Sequence, residues 1–238
     1  MDNSVPVPIR RKRYLVFDVE TTGLMPQVRR QSYYSNNSLK IEDYPYIIQL
    51  SFVVYDIHQN KIDYSYDAYI KLPDEIELPE FITNITGITK KTLQEKGQPI
   101  EEVLKKFHEA YMFCNGLVAH NMDFDEKAIQ VSMERYRITL MDKYPEVFNC
   151  FQPMYEKIHH IDRYCTMKKG TDLCNIVLPE KDGKPGKKKW PKLNELHSQL
   201  FPNETVDGFH NSMIDVLACL RCYLKMRHNY ESGSLITA

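Results

Sequence analysis

The sequence lacks several features that would assign it to a protein class at once. No apolar run among its 238 residues approaches the roughly 20 residues that a membrane-spanning helix requires. The N-terminal stretch MDNSVPVPIRRKRYLVF has no apolar segment ahead of a small-residue cleavage site, so we expect no signal peptide. We therefore expect an intracellular protein, cytoplasmic or nuclear and not secreted, with no membrane partner.

The sequence also has few cysteines and a formal net charge close to zero. The six cysteines are spread along the chain, which without a secretory signal predicts free thiols in a reducing compartment. Cys219 and Cys222 form a C-x2-C pair, but no second pair has suitable spacing, so small buried side chains on one helix face are favoured over zinc ligands. The formal net charge of −1 means that any binding of a polyanion must come from local patches.

The chain has no internal repeat and no linker that would divide it. Strands are predicted at 14–20, 46–56, 61–72 and 116–120 and near 159–165, and helices follow the later strands. This order predicts an α/β fold in which helices flank both faces of a central, mixed, five-stranded sheet. We expect a flexible basic arm (1–12), a single domain (13–228) with irregular insertions near 25–45 and 138–189, and a tail (229–238).

Two carboxylates close the first predicted strand. Asp18 and Glu20 follow an apolar run, and residues i and i+2 of a strand point to the same side. Two bare carboxylates so placed repel each other, and a divalent cation such as Mg²⁺ or Mn²⁺ would remove the conflict because it prefers hard oxygen ligands. The alternative is an exposed strand end with two solvated acids, which the preceding apolar run disfavours.

A second acidic motif, AHNMDFDEKAI, lies where a short strand ends and a helix begins near Asn121. Asp123 and Asp125 cannot both face the end of the sheet, because residues two apart on a helix are about 200° apart. Asp125 adjoins the inward-facing Phe124 and is the favoured metal ligand, whereas Asp123 suits the helix dipole. Either acid, taken alone, is also explained as ordinary helix-start chemistry.

A third motif, GFHNSMIDVLACL, places Asp215 on an amphipathic helix near its apolar face, where a carboxylate needs a partner. His210 fits the loop that enters this helix, and histidine is suited to take a proton from water near neutral pH. A surface histidine beside a solvated aspartate explains this segment equally well when it is read alone.

Taken together, FDVETTGL, AHNMDFD and HNSMID resemble, in order and spacing, the three motifs of the DEDDh 3′-to-5′ exonucleases, which are similar to the proofreading subunit of bacterial DNA polymerase III. The resemblance covers roughly residues 13–226 and implies a ribonuclease H-like fold. It implies two Mg²⁺ ions, with Mn²⁺ as a substitute, and His210 as the general base. The implied metal ligands are Asp18, Glu20, Asp125 and Asp215.

The same resemblance implies a reaction and its partners. The last phosphodiester of a single-stranded or frayed nucleic-acid 3′ end would be hydrolysed, releasing a nucleoside 5′-monophosphate, with DNA favoured over RNA. Thr21 and Leu24 would contact the terminal nucleotide, and Asn121 would lie against the substrate. A polymerase or repair partner and a homodimer are implied by analogy. The alternatives are a 3′-to-5′ RNA exonuclease and a catalytically weak nucleic-acid-binding or polymerase-associated module.

Residues other than the four acids should bind the nucleic-acid backbone, because an acidic pocket repels phosphate. Two basic segments are candidates, RRKR (10–13) and KDGKPGKKKW (181–190). In the second, Lys187, Lys188 and Lys189 would contact phosphates and Trp190 would stack on a base. A solvated basic loop explains the lysine run equally well.

Overall fold

The computed structural model describes residues 12–26, 39–179 and 186–231. Most of the predicted arm and tail, the middle of the 25–45 loop and the start of KDGKPGKKKW lie outside the described residues. The strands are β1 (Arg13–Thr21), β2 (Ile47–Asp56), β3 (Lys61–Tyr69), β4 (Gly116–Ala119) and β5 (Asp162–Cys165). The α-helices are α1 (Glu80–Thr86), α2 (Lys90–Lys96), α3 (Ile100–Met112), α4 (Met122–Arg135), α5 (Arg137–Lys143), α6 (Pro153–His159), α7 (Thr166–Cys174), α8 (Leu193–Leu200) and α9 (Ser212–His228). Short 3-10 helices lie at Ile41–Asp43 and Pro145–Asn149.

The five strands form one mixed sheet in the order β3-β2-β1-β4-β5. β1 is central, antiparallel to β2 and parallel to β4, while β2 and β3 form the predicted hairpin. β4 pairs with β1 only as far as Val16, opposite Val118, so the carboxyl end of β1 extends past β4. The predicted five-stranded mixed sheet is confirmed, and β1 ends where a neighbouring strand is missing on one side.

Helices cover both faces of the sheet because β1 buries alternate side chains on opposite sides. Leu15, Phe17 and Val19 pack in a core with residues of α3 and α4. Tyr14 and Val16 pack in a second core with residues of α8 and α9. A strand buried on both faces reads as a continuous apolar run, which is the pattern that the sequence shows before Asp18.

The predicted irregular insertion at 138–189 is wrong in its secondary structure, because this region contains most of α5, all of α6 and α7, and β5. The helices are only seven to nine residues long. Helices of two turns show too little of the 3.6-residue period to be identified from apolar spacing. The strand that the sequence places near HHIDRYC is confirmed as β5, which extends the sheet beyond β4.

The described residues contain neither a membrane-spanning helix nor a disulfide. Among the described residues, no helix combines the length and the apolar character needed to cross a membrane. All six cysteines are free thiols, as predicted, and Cys219 and Cys222 are both buried in the core between α9 and the sheet.

Candidate active site

The acid pair of β1 lies at the carboxyl end of the central strand. In the register with β2, Asp18 lies opposite Ser51 and Glu20 opposite Gln49. By strand alternation both carboxylates share the face of Tyr14 and Val16, which is the face that α9 covers. In parallel sheets, ligands bind outside the carboxyl ends of the strands, and the acids stand at that end.

The structure separates the two aspartates at the start of α4, as the helical period predicts. Asp125 is only 2% exposed, and its Oδ1 accepts a hydrogen bond from the backbone N–H of Val19 at 3.4 Å. The side chain of Asp123 is 70% exposed and forms an ion pair with Lys168 at 2.7 Å. Asp125 therefore reaches the end of β1 where β4 has stopped pairing, and Asp123 faces solvent.

The third motif forms the entry to α9. Asn211 caps this helix, since its side chain accepts hydrogen bonds from the N–H groups of Met213 and Ile214 at 3.1 and 3.4 Å. His210 precedes the cap on an exposed turn with φ of 71°, and its backbone N–H donates to Asp215 Oδ2 at 3.3 Å. This turn brings a histidine from a loop beside a carboxylate from the first helical turn.

The three motifs meet in one cluster. Glu20, His210 and Asp215 each offer a ligand atom, and these atoms all lie within 4.8 Å of one another. Asp18 lies close enough to raise the pKa of Glu20, Asp125 and Asp215 by charge repulsion. All five residues that the sequence assigns to the metal and to proton transfer therefore come together from β1, α4 and the start of α9.

Burial and mutual repulsion disfavour the charged forms of these acids. Burial raises the pKa of Asp18 to about 7. Burial and the neighbouring Asp18 and Asp215 raise the pKa of Glu20 to about 9, and burial and Asp18 raise that of Asp215 to about 8. The pKa of Asp125 is raised by burial first and by Asp18 second. A cluster with these shifts needs positive charge if its members are to be ionised together at neutral pH.

The oxygen atoms of the cluster fit a divalent cation. Asp18 Oδ2, Asp125 Oδ2 and Asp215 Oδ1 are buried, and none of them has a hydrogen-bond partner among the described residues. Buried polar atoms without partners are costly in a folded protein. Carboxylate oxygens are the ligands that Mg²⁺ and Mn²⁺ prefer, so these residues fit the ions that the sequence implies.

A polar network that the sequence analysis missed ties α9 to the sheet. Ser212 Oγ donates to the carbonyl of Asp18 at 2.7 Å, and Ser212 N–H donates to Gln49 Oε1 at 3.3 Å. Gln49 and Ser51 in turn donate to Asp67 Oδ1 at 2.8 and 2.7 Å. The available signal was the pair of polar residues in the otherwise apolar run YIIQLSFVVYD, since fully buried polar side chains require partners.

The resemblance implies that Thr21, Leu24 and Asn121 contact the substrate. These residues lie close to the acids in sequence, but their side chains differ in exposure. Thr21 is buried, and its hydroxyl donates to the carbonyl of Gly23 at 2.6 Å, which shapes the turn after β1. Leu24, by contrast, is 86% exposed. Asn121 adopts a left-handed backbone conformation, φ 66°, at the start of α4. All three flank the acid cluster along the chain.

The lysine segment is partly engaged by acids of this chain. Lys188 forms an ion pair with Asp172 at 2.8 Å, and Lys189 forms one with Glu195 at 2.6 Å. Lys187 and Trp190 are exposed.

The same segment is connected to the end of β4. Pro191 accepts a hydrogen bond at 3.0 Å from His120, which is held neutral because burial lowers its pKa to about 4. This contact places Trp190 near the start of α4.

The last residue of the other basic segment, Arg13, lies at the opposite end of β1 from the acids. Arg10 and Arg11 are outside the described residues, while Arg13 begins β1 and pairs with Asp63 at 2.9 Å. Asp18 is five positions beyond Arg13 on the strand, a distance of about 17 Å at roughly 3.3 Å per residue. Arg13 is therefore remote from the acid pair of β1.

Comparisons with known proteins agree with this arrangement. The family model described as exonuclease, RNase_T, matches residues 15–223. PolC-type DNA polymerase III of Streptococcus sanguinis is 34% identical over 136 residues, which are 56% of this chain and 8% of the polymerase. The Streptococcus suis polymerase of the same type is 32% identical over 143 residues, again 8% of its length. The chain thus spans a small part of these curated relatives.

Solved structures with low sequence identity share the fold. Escherichia coli exonuclease I in complex with a dT13 oligonucleotide superimposes with a TM-score of 0.59 at 16% identity, covering 92% of this chain and 42% of that one. Cell-death related nuclease 4 gives a TM-score of 0.55 at 17% identity, covering 92% and 64%. These neighbours confirm the predicted ribonuclease H-like fold. The match to the family model begins before Asp18, ends after Asp215 and includes nearly all of the described sheet. The chain therefore belongs to the exonuclease family.

Proposed function

We propose that this protein is a metal-dependent 3′-to-5′ exonuclease that hydrolyses the terminal phosphodiester of nucleic acid and releases nucleoside 5′-monophosphates. The observation that carries the proposal is the convergence of four carboxylates and one histidine, with three buried carboxylate oxygens that have no partner among the described residues. Membership of the exonuclease family supports the reaction class.

The acids have the first role in this proposal. Two Mg²⁺ ions, or Mn²⁺ in their place, would supply the positive charge that activates water and neutralises the reacting phosphate. The residues that would hold them are Asp18, Glu20, Asp125 and Asp215. Asp18 is central to this set, because its charge acts on all three of the other acids.

His210 has the second role, that of a general base. Its backbone N–H is hydrogen-bonded to Asp215, so the imidazole is carried at the edge of the acid cluster while remaining exposed to solvent. A base in this position can take a proton from the attacking water and pass it to bulk solvent. General-base catalysis of this kind contributes typically about 10²- to 10⁴-fold to a rate.

The terminal nucleotide would be held by the turn after β1. Leu24 offers an exposed apolar side chain that would pack beside the last base, and Thr21 fixes the turn that presents it. Single-stranded DNA is the favoured substrate, because the relatives are DNA polymerases and exonuclease I was solved with a DNA oligonucleotide. RNA is the alternative within the same reaction, since both nucleic acids contain the scissile bond.

A catalytically weak binding module is the alternative outside the enzyme class. Such a module would be expected to have lost an acid or the histidine, whereas Asp18, Glu20, Asp125, His210 and Asp215 are all present and adjacent. A polymerase partner is suggested by the polymerases to which this chain is similar. A homodimer remains a prediction, which light scattering of the purified protein would test.

The test is a substrate panel with Mg²⁺ and with Mn²⁺. Single-stranded DNA, mismatched duplex DNA, single-stranded RNA and duplex RNA are each labelled at the 3′ end in one set and at the 5′ end in another. The expected result is immediate release of labelled mononucleotide from 3′-labelled DNA and a descending ladder from 5′-labelled DNA. Undiminished release by Asp18→Ala or His210→Ala would refute the assignment of the site.

A further inference from the structure

The segment that carries His210 connects α8 to α9 and makes few hydrogen bonds to the rest of the fold. Gly208 and His210 both adopt left-handed backbone conformations, with φ of 82° and 71°. At its far end the segment is fixed by the Asn211 cap and by the bond from His210 N–H to Asp215. A turn of this kind needs a second attachment if the imidazole is to keep one position.

A buried arginine of α9 supplies that second attachment. The guanidinium of Arg221 is 3% exposed and donates from Nη1 and Nη2 to the two carboxylate oxygens of Glu204, at 2.7 and 3.1 Å. It also lies over the ring of Phe201, 4.3 Å from the centroid. Two parallel bonds to one carboxylate fix both the distance and the orientation of the partner.

An ion pair made by a buried guanidinium is not explained by stability alone. Removing a guanidinium from water is costly, and apolar residues of similar size often stabilise a core as well or better. What the pair supplies is a defined position for Glu204, six residues before His210. With Glu204 on Arg221 and Asn211 capping the same helix, the intervening segment is attached to α9 at both ends.

A second path links the arginine to the residue next to His210. His197 is buried, and its Nε2 lies 3.4 Å from Arg221 Nη1. Burial and the charge of Arg221 lower the pKa of His197, so its neutral ring accepts this hydrogen bond. The same ring packs edge-on against Phe209, with centroids 6.5 Å apart. Arg221 thus acts on the segment at Glu204 and again at Phe209.

We propose that Arg221, through Glu204 and through His197 and Phe209, is a positioning residue for His210. The inference rests on the proposed function, because it assigns His210 a catalytic role. The attachment of the α8–α9 segment to Arg221 does not depend on that role. The arginine is buried, and its hydrogen bonds go to Glu204 and His197 rather than to the four acids of the cluster, so loss of the attachment should affect turnover and leave substrate binding unchanged.

The test uses Glu204→Gln, because the Glu204 side chain is 47% exposed and its replacement leaves the core intact. The matched control is Asp207→Asn, which removes one negative charge from an exposed position of the same segment. The first measurement is hydrogen–deuterium exchange of the peptide covering 205–211 in the full chain. Exchange should accelerate about tenfold or more in Glu204→Gln, since a charge-assisted bond is lost, and remain unchanged in Asp207→Asn.

The second measurement is steady-state cleavage of a labelled DNA single strand. Glu204→Gln should lower kcat by about 10- to 100-fold with KM unchanged, because small misplacements of a catalytic group have effects of that size. In a His210→Ala background the same substitution should cause no further loss, because the group that it positions is absent. Asp207→Asn should retain the activity of the unsubstituted protein.

The two measurements test separately whether Arg221 attaches the segment and whether that attachment positions His210. Equal exchange in Glu204→Gln and Asp207→Asn would overturn the attachment, whatever the activity. An equal loss of kcat with and without His210 would show that Glu204 acts by another route and would overturn the positioning role. Absence of nuclease activity in the unsubstituted protein, with faster exchange in Glu204→Gln, would refute the proposed function and its catalytic role for His210 while leaving the attachment standing.

Discussion

Asp125 accepts a hydrogen bond from the backbone N–H of Val19, so a side chain of α4 pairs with β1 where β4 has ended. This bond uses one carboxylate oxygen of Asp125, and the other, Oδ2, has no hydrogen-bond partner among the described residues. The two oxygens therefore have different roles. One holds the helix against the strand, and the other remains available to a cation in the proposed site.

Replacing Asp123 and Asp125 of α4 by asparagine, one at a time, should separate their roles. We expect Asp125→Asn to lower kcat/KM by about 10²-fold or more, since a proposed metal ligand is lost, while Asp123→Asn changes it less than twofold. Asp123 makes only an exposed ion pair with Lys168, and such pairs contribute about 1 kcal/mol or less. The measurement is nucleotide release from a 3′-labelled strand with Mg²⁺. Equal losses in the two variants would contradict the assignment of Asp125.

Stability of the cation-free protein should fall as the pH rises. In the unfolded chain the acids lose their protons near pH 4, whereas burial raises the pKa of Asp18 to about 7 and that of Asp215 to about 8 in the fold. Glu20 has a pKa of about 9. The folded state then binds more protons over this interval, so the free energy of unfolding decreases from about pH 4 to about pH 9.

Mg²⁺ should reverse this trend. In the proposed site it would bind the ionised acids of the folded state, and a free concentration 100 times Kd would add about 2.7 kcal/mol to the free energy of unfolding. Thermal unfolding with EDTA and with Mg²⁺ at a series of pH values is the measurement, with Asp18→Asn as the control that weakens both effects. A Tm that is unaffected by Mg²⁺ at pH 8 would count against the cation site.

Ser212 should matter for stability more than its size suggests. Ser212→Ala removes the hydrogen bond from the hydroxyl to the carbonyl of Asp18, and we expect it to lower the free energy of unfolding by about 1–2 kcal/mol. Ser198→Ala, at an exposed position of α8, is the control and should be nearly neutral. Urea unfolding of the two variants gives both values. Indistinguishable midpoints would contradict the importance of this contact.

The lysine segment should contribute one phosphate contact rather than three. Lys188 and Lys189 already pair with Asp172 and Glu195, whereas Lys187 has no ion-pair partner among the described residues. Each contact to single-stranded nucleic acid changes the slope of log K against log salt by about 0.7. Replacing the three lysines by alanine should therefore change the slope by about 0.7.

Binding of a labelled strand across a range of salt concentrations gives that slope. Trp190→Ala, which removes no charge, is the control and should weaken binding without changing the slope. A change near 2 would mean that the ion pairs open to admit phosphate, and no change would leave the segment as a solvated loop.

The parts of the site that follow from local geometry could be predicted from the sequence. Strand alternation places Asp18 and Glu20 together, and the helical period separates Asp125 from Asp123. In both cases the relevant neighbours are within three residues of each other. The buried apolar run before Asp18 likewise indicates a central strand.

The contacts that hold the site depend on how distant elements pack, and no local pattern carries that information. Ser212 meets Asp18 across 194 positions of sequence, and Arg221 meets Glu204 only because α8 and α9 lie side by side. The partners of Lys188 and Lys189 were equally inaccessible, because a run of lysines has the same sequence whether or not acids lie beside it. Gln49 and Ser51 are the exception, since polar residues within an apolar strand do indicate a buried network.

The hydrogen bond from Ser212 to Asp18 joins the first described strand to the last helix, so it can form only late in synthesis. A ribosome makes β1 near the beginning of the described chain and α9 near its end, about 10 to 40 s apart at roughly 5–20 residues per second. Throughout that interval Asp18 and Glu20 exist without Asp215 or His210. A nascent chain that still lacks α9 therefore has neither Asp215 nor His210, and we expect the proposed activity to appear only after the last helix has docked.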